Sequence, residues 1–115
     1  MSAERDDDLL VDMLIAARKS RQFTAGVSQE RFASDEVLQH AVLRMLQIIG
    51  EAATKLSAQR RESIAAVPWD KVIGLRHRLV HEYFNINLPL IWQVLNEDVP
   101  LLIDIIEALV PPEDA

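Results

Sequence analysis

Cysteine is absent from this sequence of 115 residues, and glycine occurs only three times. Without cysteine, a disulfide framework, a zinc site with thiolate ligands and a thiol nucleophile are all excluded. Because glycine is scarce and no Asn-Gly or Asp-Gly pair occurs, the turn signals that are typical of β-hairpins are missing too. Half of the residues are hydrophobic, and a chain of this size buries about two-thirds of its surface on folding. The sequence therefore predicts a single domain over residues 1–115.

Long hydrophobic runs are missing as well. No stretch reaches the roughly 18 apolar residues of a membrane span, since Asp98, Asp104 and Glu107 interrupt the most hydrophobic segment. The first eight residues carry four acidic side chains, whereas a secretory signal begins with a basic segment. We therefore expect a cytoplasmic protein that does not associate with a membrane.

Positive charge is in short supply, with 12 lysine and arginine residues against 18 aspartate and glutamate residues and a net charge of -6. This balance argues against a protein that coats nucleic acid by bulk electrostatic attraction. Residues 55–78 are an exception, because they hold six basic and two acidic side chains. An anionic ligand is expected near this segment. The alternative is that these basic side chains only solvate helix faces.

Apolar residues recur at the spacing of α-helices along the chain, which predicts an all-α protein. The predicted helix over about residues 34–56 has apolar side chains over roughly half of its circumference, so it is expected to contact two neighbouring helices. Four long helices predict an up-and-down four-helix bundle with short extra helices, and their surplus apolar surface predicts a homodimer. The predicted long helices cover about residues 6–23, 34–56, 68–87 and 88–110, and the short ones about residues 29–32 and 62–66.

Turn and capping residues set the predicted boundaries. Gly26 follows the first helix, and Ser34 is the predicted N-cap of the helix with the wide apolar face. Val67 is expected to close the second short helix, because a residue before proline avoids the helical conformation. Pro100 is expected to bend the last helix, since it has no N–H group to donate.

Arg76 falls in the middle of the apolar face of the predicted fourth helix, close to Leu79 and Tyr83 on a helical wheel. A buried guanidinium costs several kcal/mol unless it is paired. Two interpretations remain open. Either an acidic residue of another helix, with Glu51 and Asp12 as candidates, pairs with Arg76 in the core, or the surface around Arg76 is an open cleft.

His77 and His81 are four residues apart and share a second face of this helix, about 100° and 140° from Arg76. A regular helix therefore does not bring Arg76 and His81 to one atom. They converge only if the helix frays after Val80, or if a two-fold axis places the arginine of one chain beside the histidine of another.

Arginine and histidine without metal ligands favour phosphate chemistry. Arginine presents a planar fork of donors to phosphate oxygens, and histidine accepts or gives a proton near neutral pH. RNA cleavage needs little more, because the 2'-hydroxyl attacks the neighbouring phosphate once a base removes its proton and an acid protonates the leaving oxygen. The alternative is that these side chains only cover the surface of a helix.

The segment Gly74–Tyr83 resembles the R-x4-H-x-Y signature of the HepT-like toxins, a branch of the HEPN superfamily. Its setting on the penultimate long helix of an all-α protein also resembles that family. Further similarity lies in residues 32–35, 49–52, 68–69 and 91–92, so the resemblance covers most of the chain.

This resemblance implies a metal-independent endoribonuclease without a cofactor, active on RNA as a homodimer whose motif helices line a shared cleft. Arg76 and His81 match the catalytic positions. Tyr83 matches the tyrosine to which the partner of such toxins, an MntA-type nucleotidyltransferase antitoxin, adds AMP. His77 occupies a supporting position where asparagine is common in the family.

A second interpretation is a non-catalytic helical subunit that binds and regulates a nucleotidyltransferase through Arg76 and Tyr83. Tyr83 also has the structural alternative of a core aromatic with its hydroxyl at the surface. For Trp69 and Trp92 a place in the core is favoured. A helix-turn-helix regulator is disfavoured, because the chain is acidic and its most basic helix also carries an apolar face.

Overall fold

Every regular element is helical in residues 3–82 and 85–110, which are the residues described by the computed structural model. This confirms the prediction of an all-α protein. Among the described residues, no helix has the length and hydropathy required to cross a lipid bilayer. The elements in chain order are α1 (Ala3–Phe23), α2 (Gln29–Ser34), α3 (Glu36–Lys55), α4 (Ala58–Ser63), α5 (Trp69–His81), α6 (Leu88–Gln93), a π-helical segment (Val94–Asp98) and α7 (Val99–Glu107).

The helix α3 is the centre of the bundle. It packs against both α1 and α5, which confirms that its wide apolar face serves two neighbours. The helix α1 also packs against α7, so α1, α3, α5 and the C-terminal run from α6 to α7 form the expected set of four long helical segments. Buried side chains from each of them make the core, among them Leu10, Met13, Val42, Leu46, Leu79, Leu95 and Ile106.

The N-cap of α3 is Asp35, so the prediction of Ser34 at this position is wrong. The Asp35 carboxylate accepts a hydrogen bond from the backbone N–H of Leu38 at 3.0 Å. Ser34 is instead the last residue of α2, and its hydroxyl donates to the carbonyl of Arg31 at 3.1 Å. Serine and aspartate are about equally good caps, so the sequence alone did not separate the two neighbours.

The second short helix lies four residues earlier than predicted, at Ala58–Ser63 rather than 62–66. Its N-cap is Ser57, whose hydroxyl accepts from the N–H of Arg60 at 3.1 Å. Ser57 is itself held by Asp6 of α1, whose carboxylate accepts from the Ser57 N–H at 3.0 Å and from the Ser57 hydroxyl at 2.7 Å. A contact across 51 residues sets this helix start, and the local sequence pattern does not contain it.

The hydrogen bonds from Ser57 lower the pKa of Asp6 from its ordinary value of 3.8. The folded state therefore binds the Asp6 proton less tightly than the unfolded chain. It follows that this carboxylate stabilises the fold above its ordinary pKa, and that the stabilisation is lost as the pH falls through the lowered pKa.

The helix type changes just before Pro100, where the sequence predicts a bend. The segment Val94–Asp98 is π-helical, and the N–H of Val99 donates to the carbonyl of Val94, five residues back. Pro100 then occupies the first turn of α7, a position at which proline is well tolerated. The helical path thus continues past the proline with one wider turn before it.

Both tryptophans pack against the core, as favoured from the sequence. The indole N–H of Trp69 donates to the carbonyls of Arg61 and Ile64 at 3.0 and 3.1 Å. The ring of Trp92 lies 5.3 Å from that of Phe32, measured between centroids. Trp69 thus ties the start of α5 to the end of α4.

Candidate active site on helix α5

Arg76 lies where α5 passes closest to α3, opposite Gly50. A Cβ atom added to Gly50 would lie 2.7 Å from the Cγ and 3.3 Å from the Cα of Arg76, closer than carbon atoms pack without strain. Glycine at this point of α3 is therefore what allows the stem of Arg76 to pass between the two helices. Gly50 is the site residue whose role the sequence did not reveal. A glycine in the interior of a long helix was the available signal, since glycine there costs stability unless it has a packing role.

The guanidinium of Arg76 has a buried donor without a partner among the described residues. Its Nε atom is buried, and no atom of residues 3–82 or 85–110 accepts a hydrogen bond from it. Among the described residues, no carboxylate forms an ion pair with it. A core ion pair with Glu51 is not formed, because Glu51 accepts instead from Arg44 at 3.5 Å, and Asp12 is exposed. An unsatisfied donor of this kind costs about 1–3 kcal/mol, so it favours a site that an anion completes.

His77 and His81 lie at the exposed C-terminal end of α5 with their imidazole rings in contact. The ring centroids are 4.2 Å apart, and the ring planes are inclined by 43°. His81 is the last residue of the helix, and Glu82 has left the helical conformation with φ -112° and ψ 43°. The C-terminal end of a helix carries partial negative charge from its unpaired carbonyl groups.

The helix α5 remains regular through its last residue, His81. It therefore ends earlier than the sequence predicts. Fraying after Val80 is therefore not what brings Arg76 and His81 together. Five residues of regular helix separate their directions by about 140°, so one helix does not direct both side chains to one point. Tyr83, the predicted modified residue, lies outside the described residues.

An apolar groove of about 330 Å³ opens between α3, α5 and α7. Leu46 and Ile49 of α3, Val72 and Leu75 of α5, and Leu101, Leu102 and Ile105 of α7 are among the residues that line it. Leu101 lines this groove and is 62% exposed. The side of the bundle that carries the start of α5 is thus apolar and open.

Comparisons with known proteins agree on one family. Residues 13–109 match the family model described as Ribonuclease HepT-like. A protein of Methanocaldococcus jannaschii that bears the provisional name RNase is 38% identical over 91 residues, which are 79% of this chain and 84% of the relative. A protein of Caldanaerobacter subterraneus with the same kind of provisional name is 43% identical over 77 residues, 67% of this chain and 69% of the relative.

A third relative, from Thermococcus cleftensis, is named Probable ribonuclease HepT. It is 33% identical over 95 residues, which are 83% of this chain and 86% of the relative. No solved structure matches the chain significantly.

Proposed function

The chain belongs to the HepT-like ribonuclease family, and on that premise we propose that it is a metal-independent endoribonuclease and the toxin of a toxin–antitoxin pair. The observation that carries the proposal is the buried Nε of Arg76, which has no partner in the described part of the chain and lies on the helix that ends in His81. A guanidinium without an anionic partner among the described residues can bind a phosphate, and the exposed imidazole of His81, five residues further along the chain, can supply the proton transfer.

In the proposed reaction, Arg76 binds the oxygens of the scissile phosphate and stabilises the charge that builds on them. A base takes the proton of the 2'-hydroxyl, whose oxygen forms a new bond to phosphorus. The bond from phosphorus to the 5'-oxygen breaks, and an acid protonates that oxygen. We assign one of these proton transfers to His81, and a supporting hydrogen bond to His77. The products are a cyclic phosphate and a free 5'-hydroxyl.

The active form in this proposal is a homodimer. Arg76 and His81 point in different directions from one regular helix. A two-fold axis would place the arginine of one chain beside the histidine of the other, so that both contact the same phosphate. The apolar groove with the exposed Leu101 supports this proposal, because an uncovered apolar surface next to α5 favours burial against a second copy.

We further propose that a nucleotidyltransferase antitoxin neutralises the protein by adding AMP to Tyr83. Tyr83 follows His81 by two residues, so adenylate on its phenol oxygen brings phosphate groups to the end of α5. These phosphates compete with RNA for Arg76 and crowd the approach to His81.

The ribonuclease proposal predicts that His81→Ala cleaves RNA about 100- to 10,000-fold more slowly than the parent, because a general acid or base contributes that much. Cleavage is measured with purified chain and labelled RNA in buffer containing EDTA between pH 6 and 8. Growth arrest on production of the isolated chain should disappear in the same variant. His40→Ala is the matched control, since His40 is an exposed histidine on α3 beside Glu36.

Two outcomes would contradict the proposal. If His81→Ala is as toxic and as active as the parent, the residue is not catalytic. If the parent leaves RNA intact under all these conditions but binds a nucleotidyltransferase, the chain is a non-catalytic subunit of that enzyme.

The proposal for Tyr83 predicts a mass increase of one or more adenylate units when the chain is produced together with an MntA-type nucleotidyltransferase. Intact-protein mass spectrometry measures the increase, and peptide mapping places it. Tyr83→Phe removes the phenol oxygen and should stay unmodified and toxic in the presence of the antitoxin. Modification of Tyr83→Phe to the same extent as the parent would show that the acceptor is another residue.

A further inference from the structure

His77 and His81 have the arrangement of a two-imidazole chelate. Residues four apart on a helix project to the same face, and these two rings already lie 4.2 Å apart between centroids. Both side chains are exposed. Within residues 3–82 and 85–110, nothing is hydrogen-bonded to either ring. The two imidazole rings that would chelate the ion are therefore already adjacent on one exposed face of α5.

We propose that His77 and His81 together bind a divalent transition-metal ion of the zinc and nickel class. Imidazole nitrogen is a preferred ligand for these ions, whereas Mg²⁺ and Ca²⁺ prefer oxygen. Two histidines at positions i and i+4 of one helix supply two of the zinc ligands in well-known metal sites. The remaining coordination positions would be filled by water, because the described residues contain no group of three or more potential ligands.

Glu82 is not counted among the ligands, although it follows His81 directly. Its carboxylate accepts from the Nε of Arg78 at 3.4 Å. With two protein ligands, the bound ion exchanges readily, which suits reversible control rather than a structural role.

The consequence of metal binding is inhibition, and this step rests on the proposed ribonuclease function. A coordinated imidazole has given its lone pair to the metal, so it no longer accepts a proton. An ion on His77 and His81 therefore removes the proposed acid or base from the reaction, while Arg76 on another face of α5 keeps its donors. Zinc would slow this nuclease, the opposite of its effect on enzymes that use a metal to activate water.

Binding is tested first, without reference to RNA. Zn²⁺ is titrated calorimetrically into the full chain without an affinity tag, at neutral pH, and Mg²⁺ is titrated in parallel. We expect one zinc ion per chain and no measurable heat from Mg²⁺. His77→Ala should weaken zinc binding by about tenfold or more, since the second ligand no longer adds its intramolecular contact. His40→Ala should keep the affinity of the parent.

The matched histidine makes the test specific. His40 is exposed and lies 3.6 Å from Glu36, so it is the natural competitor as a zinc ligand. Unchanged zinc affinity in His77→Ala, or a loss in His40→Ala equal to that in His77→Ala, would overturn the proposed site. Because His77 is exposed, its replacement is not expected to unfold the protein, and the melting temperature of each variant checks this.

The inhibitory step is tested by RNA cleavage, with the rate of each variant divided by its own rate in metal-free buffer. Zinc should inhibit the parent, EDTA should restore the rate, and His77→Ala should need about tenfold more zinc or greater for the same fractional inhibition. A parent that binds zinc but cleaves RNA at its full rate would refute the inhibition. A parent that cleaves no RNA without metal would refute the ribonuclease proposal instead, and the titration would still decide the metal site.

Discussion

Replacing Arg76 with methionine is expected to lower the rate of RNA cleavage by about 100- to 1,000-fold without lowering the free energy of unfolding. Methionine keeps the unbranched apolar stem that passes Gly50 but removes the guanidinium. The loss of activity follows from losing the donors that stabilise charge on the phosphate. The stability is kept because the deleted group includes a buried Nε for which residues 3–82 and 85–110 supply no partner, and a donor of that kind costs the fold about 1–3 kcal/mol.

The matched control is Arg78→Met, two residues further along α5. The Arg78 side chain is 51% exposed and pairs with Glu82 at 3.4 Å. A surface pair of this kind contributes about 1 kcal/mol at most, and Arg78 has no part in the proposed reaction. Cleavage by Arg78→Met should therefore stay within about threefold of the parent. Initial rates with labelled RNA and urea unfolding curves measure both quantities for both variants.

A loss of activity without a loss of stability in Arg76→Met is the informative result. If Arg76 served only to stabilise the fold, Arg76→Met would not lose activity while remaining as stable as the parent. If Arg76→Met is destabilised by several kcal/mol and Arg78→Met is not, the guanidinium is a structural group with a partner in solution. If both variants cleave RNA at the rate of the parent, Arg76 does not touch the phosphate.

The sequence was informative where burial follows the helical period. The wide apolar face of α3 predicted two neighbours, and α1 and α5 are those neighbours. The placement of Arg76 on the apolar face of α5 was also visible, because a helical wheel needs only residue spacing. Both inferences depend on local periodicity, which a single sequence contains.

Features that depend on distant partners were not predictable. The start of α4 is set by Asp6 of α1, which binds Ser57, and a local pattern offers no sign of this pairing. Whether Arg76 has an acidic partner depends on which arginine Glu51 pairs with, and Glu51 pairs with Arg44 on its own helix. The sequence suggested Glu51 as a partner for Arg76, but it did not show that Glu51 would pair with Arg44 instead.

The pairing of α3 with α5 at Gly50 leads to the second large effect. Gly50→Ala is expected to lower the free energy of unfolding by about 1–3 kcal/mol, although alanine is the better helix former by up to about 1 kcal/mol. The added Cβ would lie 2.7 Å from the Cγ of Arg76, so α5 must move away from α3. RNA cleavage should fall as well, because a displacement of about 1 Å at a catalytic group costs up to about 100-fold in rate.

Gly74→Ala provides the control, since it makes the same chemical change inside α5. Nothing lies within 4 Å of a Cβ built on Gly74, so only the gain in helix propensity remains, and stability should rise by about 0.5–1 kcal/mol. Urea unfolding of the two variants thus separates close packing from propensity, with opposite signs expected. If Gly50→Ala is stabilised as much as Gly74→Ala, the two helices do not meet at this point in solution. The stem of Arg76 would then have room to turn toward a carboxylate, and the unpartnered guanidinium that supports the proposed phosphate site would lose its physical basis.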